Sequence, residues 1–401
     1  MRARLSGWSF SGLSGAFWVF LVASCLFTFG VFVFVLLYNL YLLDRGFRED
    51  FLGLVTSAMT AGNIVGTLFV VAATRRLGLK RLLLLCFAGM AAVSAGRALV
   101  VGQAALLGWA FLWGVTFAFW AISIPVIVAQ LTSAELRPVG FSAYLASVIG
   151  IGILADAVGG WLPGWLAPVI RTTASVETKR AALLVGCAIA ALALWPAAHL
   201  RFGHVPRPER VSYPRGAFIA RFLAALALMN LGTGAFNPFS NAYFAQYLKM
   251  PVHDIGVVFS AGQLAQVCAI LFAPLIVRRV GAVRGIMGVE VFTGLSLAFL
   301  ATGSPGWMAA LGFGGYLAFQ WMDEPAMESL LMTQVPLAQR SGASSLMYLV
   351  IFSANAVAAP VAGTGIARFG YPVVMIAAAA FLVAGGLAFG FLLRRFEPRS
   401  R

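Results

Sequence analysis

The residues with the clearest capacity for chemistry form one short stretch, QWMDEPAME at 320–328, inside an otherwise apolar segment. At about 100° per residue in a helix, Gln320, Glu324 and Glu328 fall on one stripe, and Asp323 flanks it. Crowded carboxyl groups oppose each other's ionisation, so at least one of these acids is expected to take up and release protons. The alternatives are structural: one acid pairs with a nearby base, or Glu328 reaches water.

Isolated charges in other apolar segments have two interpretations. Asp156 is either a second protonation site or the partner of a base such as Arg97. Glu290 lies about two turns from Arg284 and is expected to join a cytoplasmic ion-pair network.

Pro325 and Pro238 each remove a backbone donor, so a helix is expected to kink at each.

Amide and aromatic side chains are the candidates for binding a small molecule. Asn230, Asn237 and Asn241 are spaced by 7 and 4 residues and so share one helical face. Interhelical hydrogen bonding and ordinary aromatic packing are the alternatives. The full set of substrate-cavity candidates is Asn39, Asn230, Asn237, Asn241, Gln320, Trp321, Trp120, Tyr348 and Asn355.

The elements that hold these residues must lie in lipid. The chain is 61% hydrophobic and 10% charged, with a mean hydropathy of +0.93, whereas a soluble domain carries about a quarter charged residues. We therefore expect an all-α polytopic membrane protein. Its twelve helices are predicted at about residues 16–43, 50–74, 81–100, 103–131, 138–166, 181–200, 217–247, 254–277, 284–303, 306–333, 341–366 and 371–394.

Charge sets the predicted topology. With both termini on one side, that side holds 20 of the 28 Lys and Arg residues, so both termini are expected in the cytoplasm of a bacterial inner membrane. The basic residues occur in short clusters between apolar stretches, which excludes a nucleic-acid surface despite the net charge of +15. Because the four cysteines lie in apolar stretches without a CxxC pair, no disulfide framework, metal site or other cofactor is expected.

The two halves of the chain repeat each other at an offset of 203 residues. Gly53 matches Gly256, and RRLGLKR at 75–81 matches RRVGAVR at 278–284. We predict an N-terminal bundle at 1–200, a cytoplasmic linker at 201–216 and a C-terminal bundle at 217–401. Such a parallel repeat is expected to place a substrate site between the halves.

Repeat-matched polar residues are candidates for a gate or for packing between the halves. Asn63 in helix 2 corresponds to Gln266 in helix 8 at the same offset. The gate and interdomain candidates are Asn63, Gln263, Gln266, Arg76, Gly78, Arg279 and Gly281.

The chain resembles the major facilitator superfamily over essentially its whole length. Arg76, Gly78 and Lys80 fit the superfamily's signature between helices 2 and 3, with Arg75 in place of the expected Asp. ADAVGG at 155–160 keeps the final glycines of the helix 5 signature of proton-driven exporters. The resemblance implies two pseudo-symmetric six-helix bundles, with helices 1, 4, 7 and 10 around a cavity and helices 3, 6, 9 and 12 at the periphery.

Transport is the expected function. The leading hypothesis is a monomeric, proton-coupled transporter that works by alternating access and exports cationic or amphipathic molecules, because acids are present in the cavity helices and no central base is evident. Uptake of a neutral polar metabolite is the alternative. A membrane-embedded enzyme is a remote third, since His199, His204 and His253 are scattered and form no catalytic set. The expected partners of the transporter are a small-molecule substrate, protons and membrane lipid.

Overall fold

The computed structural model describes residues 12–133, 135–203, 212–303 and 305–396, and within these ranges all regular structure is helical. Part of the predicted linker, residues 204–211, lies outside the described residues. The domain boundaries stated above therefore stay a prediction.

The helices follow the predicted series closely. They are α1 (Gly15–Asp44), α2 (Glu49–Leu77), α3 (Leu79–Leu99), α4 (Gln103–Leu131), α5 (Arg137–Leu166), α6 (Ser175–Leu192), α7 (Ala217–Phe236), α8 (Val252–Val280), α9 (Ala282–Leu300), α10a (Gly306–Met322), α10b (Glu324–Gln334), α11 (Arg340–Phe369) and α12 (Tyr371–Leu393). A short helix, Leu194–Ala198, extends α6 after a one-residue break at Ala193.

The tenth crossing differs from its prediction as one continuous helix. Within the described residues, eleven helices are long and apolar enough to cross a membrane. The remaining crossing is divided at Asp323 into segments of 17 and 11 residues. Pro325 is the second residue of α10b. Because proline has no backbone N–H, it cannot continue the hydrogen bonds of α10a. The expected kink is thus an interruption of the helix at an acid.

The seventh crossing is also irregular where the sequence predicts a kink. After α7, residues Asn237–Phe239 form a 3₁₀ turn that contains Pro238, and Tyr243–Tyr247 form a π turn. Proline in a helix interior removes a donor and displaces the carbonyl four residues before it. The prediction of a kink at Pro238 is confirmed.

The repeat is visible in two matched turns. Gly78 between α2 and α3 has φ +76°, and Gly281 between α8 and α9 has φ +91°. Residues with a Cβ adopt this left-handed region at a cost of about 1–2 kcal/mol. The backbone conformation therefore requires glycine at both positions, and the two positions are separated by the offset of the repeat.

Two compact units make up the chain: Met1–Tyr38 with Gly62–Arg207, and Asn39–Ala61 with Pro208–Arg401. In the first unit α3 packs against α4 and α6. In the second unit α12 packs against α7 and α9, while α10a packs against α8 and α9. A core of α7, α10b and α12 side chains, including Phe222, Leu331 and Phe389, fills one end of the second unit.

Close packing of α2 on α4 depends on Gly62 and Gly66, as their GxxxG spacing predicts. A Cβ at Gly62 would overlap the Phe111 carbonyl oxygen, and one at Gly66 would lie 2.8 Å from the Val115 carbonyl oxygen. Both helix backbones would have to separate to accept a methyl group. The first unit is therefore intolerant of side chains on this face of α2.

We expect Gly62→Ala to lower the Tm of the purified protein, since the overlap should cost about 1–3 kcal/mol. Gly108→Ala on α4 is the matched control, because nothing lies within 4 Å of its new Cβ. Both variants gain the same helix propensity of about 1 kcal/mol. Equal Tm values for the two variants would contradict this packing.

Candidate functional site

A cavity of about 250 Å³ lies within the second unit, enclosed by α7, α9, the two parts of helix 10, and α11. It is large enough for several water molecules or a small organic group. The described residues that line it are Leu226, Met229, Asn230, Thr233, Glu290, Gln320, Trp321, Asp323, Glu324, Met327, Glu328, Met347, Tyr348, Ile351 and Phe352.

Asp323 stands at the interruption of helix 10 and is the most buried of the predicted acids. Its side chain is 2% exposed, and neither carboxyl oxygen has a hydrogen-bond partner among the described residues. Its backbone carbonyl accepts a hydrogen bond from the Met327 N–H at 2.9 Å, which starts α10b. Buried polar groups are almost always hydrogen-bonded, so this carboxyl is held in an exceptional environment.

Glu290 on α9 is a cavity residue that the sequence did not predict. It is 3% exposed and lies close enough to Asp323 for the two carboxyl groups to act on each other electrostatically. No hydrogen bond of ordinary geometry reaches the Asp323 oxygens or the Glu290 Oε2 atom in the described part of the chain. The expected ion-pair network is not found for Glu290, since no described ion pair includes it.

Glu324 and Glu328 continue the acidic lining along α10b. Glu324 is half-buried and Glu328 exposed, and the two interact electrostatically with each other and with Tyr348 on α11. Together with Gln320 on α10a they line one cavity. The predicted stripe is therefore retained across the interruption.

Amides and aromatic rings complete the lining. Asn230 belongs to the cavity, with its Nδ2 donating to the Leu226 carbonyl at 2.9 Å. Trp321 and Tyr348 also line it and are 38% and 41% exposed. The structure thus brings Asn230, Gln320, Trp321 and Tyr348 together with the three acids of helix 10.

The other predicted amides support helices and are not among the cavity-lining residues. Asn237 Oδ1 accepts a 2.7 Å hydrogen bond from the Tyr316 hydroxyl. Asn39 Nδ2 donates to the Pro238 carbonyl at 2.6 Å and is 3.4 Å from Asn241 Oδ1. A Cβ at Gly234 would overlap the Asn355 side chain, so Asn355 packs directly on the α7 backbone. These hydrogen bonds agree with the alternative of interhelical hydrogen bonding, and a substrate contact of these amides stays a prediction.

Two of the predicted cavity and proton-coupling residues, Trp120 and Asp156, lie in the first unit. Trp120 is part of an aromatic cluster, with its ring 5.1 Å from that of Phe27 and 5.5 Å from that of Phe117. Asp156 is 3% exposed in α5 and is not free of partners. Arg97, its suggested partner, lies 3.9 Å from the Tyr38 ring centroid and is also buried. The ring contacts of Trp120 agree with the alternative of ordinary packing, and a cavity role for Trp120 and a protonation role for Asp156 stay predictions.

The gate candidates are located but stay predictions. Arg76 and Arg279 are exposed beside the left-handed turns at Gly78 and Gly281. Gln263 and Gln266 are half-buried on α8, and so is Asn63 on α2.

A different contact, not predicted, fastens the segment Asn39–Ala61 to α11 and α12. Ser57 Oγ donates to the Ala356 carbonyl at 2.8 Å, and the Tyr371 hydroxyl donates to Glu49 at 3.1 Å. A Cβ at Gly53 would lie 2.9 Å from the Pro360 Cα. The sequence signal for this contact is the match of Gly53 to Gly256 in the repeat, but that match does not show which helix Gly53 packs against.

The second unit corresponds to a known family. Residues 217–401 match the family model of the Major Facilitator Superfamily. This part of the chain belongs to that superfamily. The whole chain shares the fold of its transporters, as the comparison with solved structures shows.

Three solved transporters illustrate the likeness. The nucleoside transporter NupG is 15% identical, with a TM-score of 0.76, covering 95% of this chain and 100% of that one. The xylose transporter XylE from E. coli, in an inward open conformation, is 14% identical with a TM-score of 0.74, covering 96% and 98%. A bacterial homologue of the human lysosomal transporter Spinster is 12% identical with a TM-score of 0.74, covering 96% and 98%.

No curated protein sequence matches this chain significantly. At such low identities the structural likeness establishes the major facilitator fold alone. The family match and the transporter neighbours together point to a transporter and not to an enzyme.

We expect Asp323→Leu to raise the Tm, because an apolar side chain of similar size removes a buried, unpartnered carboxyl that costs about 1–3 kcal/mol. Asp254→Leu is the control, since Asp254 is half exposed and paired with His253 at 3.2 Å. That control should show no rise. A fall of several degrees for Asp323→Leu would contradict this expectation, since it would show that the buried carboxyl stabilises the protein.

Proposed function

We propose that this protein is a proton-coupled secondary transporter that exports small cationic or amphipathic organic molecules. The observation that carries the proposal is the charge of the cavity. Among its described lining residues every ionisable group other than Tyr348 is an acid: Glu290, Asp323, Glu324 and Glu328. A low-dielectric wall lined by charge of one sign attracts ligands of the opposite sign.

Exchange follows from competition for the same carboxyl groups. A proton and an organic cation each neutralise an acid that is costly to leave charged inside a membrane. When both ligands need the same charge, binding of one weakens binding of the other, and this coupling is reciprocal. A proton gradient can then drive the cation in the opposite direction.

Trp321 and Tyr348 suit the organic part of such a ligand. Both line the cavity and are only partly buried, so their rings are available for stacking. An aromatic face attracts a cation by about 0.5–2 kcal/mol, depending on desolvation. Acids and aromatic rings in one cavity therefore favour an amphipathic cation over an inorganic one.

Uptake of a neutral polar metabolite is the second candidate. Asn230 and Gln320 supply amide donors and acceptors beside the acids, and a nucleoside transporter and a D-xylose–proton symporter share the fold. In this case the carboxyl groups would bind protons only, and the solute would travel with them.

We propose that the two parallel repeats work by alternating access, because such repeats favour rocking around a shared substrate site. A monomer in a bacterial inner membrane, with both termini in the cytoplasm, is consistent with the distribution of Lys and Arg.

The test uses proteoliposomes and the planar aromatic cation ethidium. With an acidic lumen, proton exit should drive ethidium inward against its concentration. Asp323→Asn and Glu324→Gln should each reduce this gradient-driven uptake about tenfold or more, because the exchanged proton loses its carrier. Glu177→Gln is the control, since Glu177 lies in an exposed pair with Arg180 on α6.

Full gradient-driven uptake by both helix 10 variants would remove the proton-carrier assignment. The same vesicles test the second candidate with radiolabelled uridine. Accumulation of uridine with an alkaline lumen, and no ethidium response with an acidic one, would favour solute uptake over cation export.

A further inference from the structure

Glu290 reaches the cavity from α9, a helix that the resemblance places at the periphery. Its backbone position is fixed by α12, which packs closely against it. A Cβ at Gly386 would lie 2.8 Å from the Cβ of Glu290, and one at Gly385 would lie 2.8 Å from the Met229 backbone nitrogen on α7. Two adjacent glycines thus let α12 fit between α7 and α9 and hold Glu290 beside helix 10.

The charged side chains described around Glu290 are all acidic. Helix 10 presents Asp323 and Glu324, with Glu328 one turn further along, and α11 presents Tyr348. Tyr316 on α10a interacts electrostatically with Glu290, α7 contributes Asn230 and Thr233, and α12 contributes Gly386. No basic side chain is among the described residues that line this cavity.

Two buried carboxyl groups that are surrounded by other acids cannot both be ionised without a large cost in free energy. The side chains of Glu290 and Asp323 are 3% and 2% exposed, and three of their oxygen atoms have no hydrogen-bond partner in the described structure. A carboxylic acid facing a carboxylate removes one charge and supplies the missing donor at once. The pair is therefore complete only when one proton is present.

We infer that Glu290 and Asp323 share one proton, so that the coupling site of this transporter is a pair of acids contributed by α9 and helix 10. This assignment rests on the proposed function and names a second acid for it. Asp323 lies where helix 10 is interrupted, so a change in the angle between α10a and α10b changes its distance from Glu290. The interruption thereby links proton binding to movement of helix 10.

The test needs no substrate. In pH-difference infrared spectra of the purified protein, the shared proton should appear as one protonated-carboxyl C=O band. Glu290→Gln and Asp323→Asn should each remove or displace that band, and the double variant should lose no more than the single variants. Glu290→Asp should restore a band, while Glu177→Gln, the exposed control on α6, should leave the band of the shared proton unchanged.

An unchanged band in Glu290→Gln would overturn the inference, as would two independent bands that disappear additively. If Glu290→Gln does not fold, Asp323→Asn alone is decisive. It should move the titration midpoint of the remaining carboxyl band by about one pH unit or more, and an unmoved midpoint would overturn the pair. Loss of ethidium transport with an intact shared band would contradict the proposed function and leave the acid pair standing.

Discussion

The interruption of helix 10 at Asp323 is the constraint on which the rest of the site depends. A membrane crossing normally satisfies every backbone group within a continuous helix. Here α10a ends and α10b begins around one acid, whose carbonyl accepts the first hydrogen bond of α10b. The carboxyl itself is buried, and neither of its oxygens has a hydrogen-bond partner among the described residues. Such a group is costly for stability and is retained where function requires it.

Neighbouring helices are arranged around that interruption. The glycine pair at 385–386 brings α12 close to α7 and α9, and Glu290 of α9 lines the same cavity as Asp323. Directly after α7, the carbonyl of Pro238 in the 3₁₀ turn accepts a hydrogen bond from Asn39, and the Asn237 amide oxygen accepts one from Tyr316 of α10a. Irregular backbone in the seventh crossing is thus supported by polar side chains, as is required for non-helical segments at membrane depth.

Much of this arrangement could be predicted from the sequence, because the signals are local. The twelve crossings follow from apolar length, and the two irregular helices follow from Pro238 and Pro325. The stripe of Gln320, Glu324 and Glu328 follows from helical periodicity. The fold and the acidic face of the candidate site therefore follow from residue type and spacing alone.

What could not be predicted depends on which helix faces which. The sequence suggests that Glu290 joins an ion-pair network, because Arg284 is near it along the chain, whereas in the structure Glu290 lines the same cavity as Asp323. The hydrogen bonds of Asn39 to the Pro238 carbonyl and to Asn241 could likewise not be predicted, and a substrate contact of either amide stays a prediction. Periodicity specifies the face of a helix, but only tertiary packing specifies its neighbour.

The central claim is that the acids around Asp323 exchange a proton for a cationic ligand. Proton counting on the purified protein tests it most directly: ethidium is added in weakly buffered detergent solution, and the pH change is converted to protons per bound ligand. We predict that wild-type protein releases protons on binding and that Asp323→Asn releases none. Binding without any proton movement in the wild type would contradict the account.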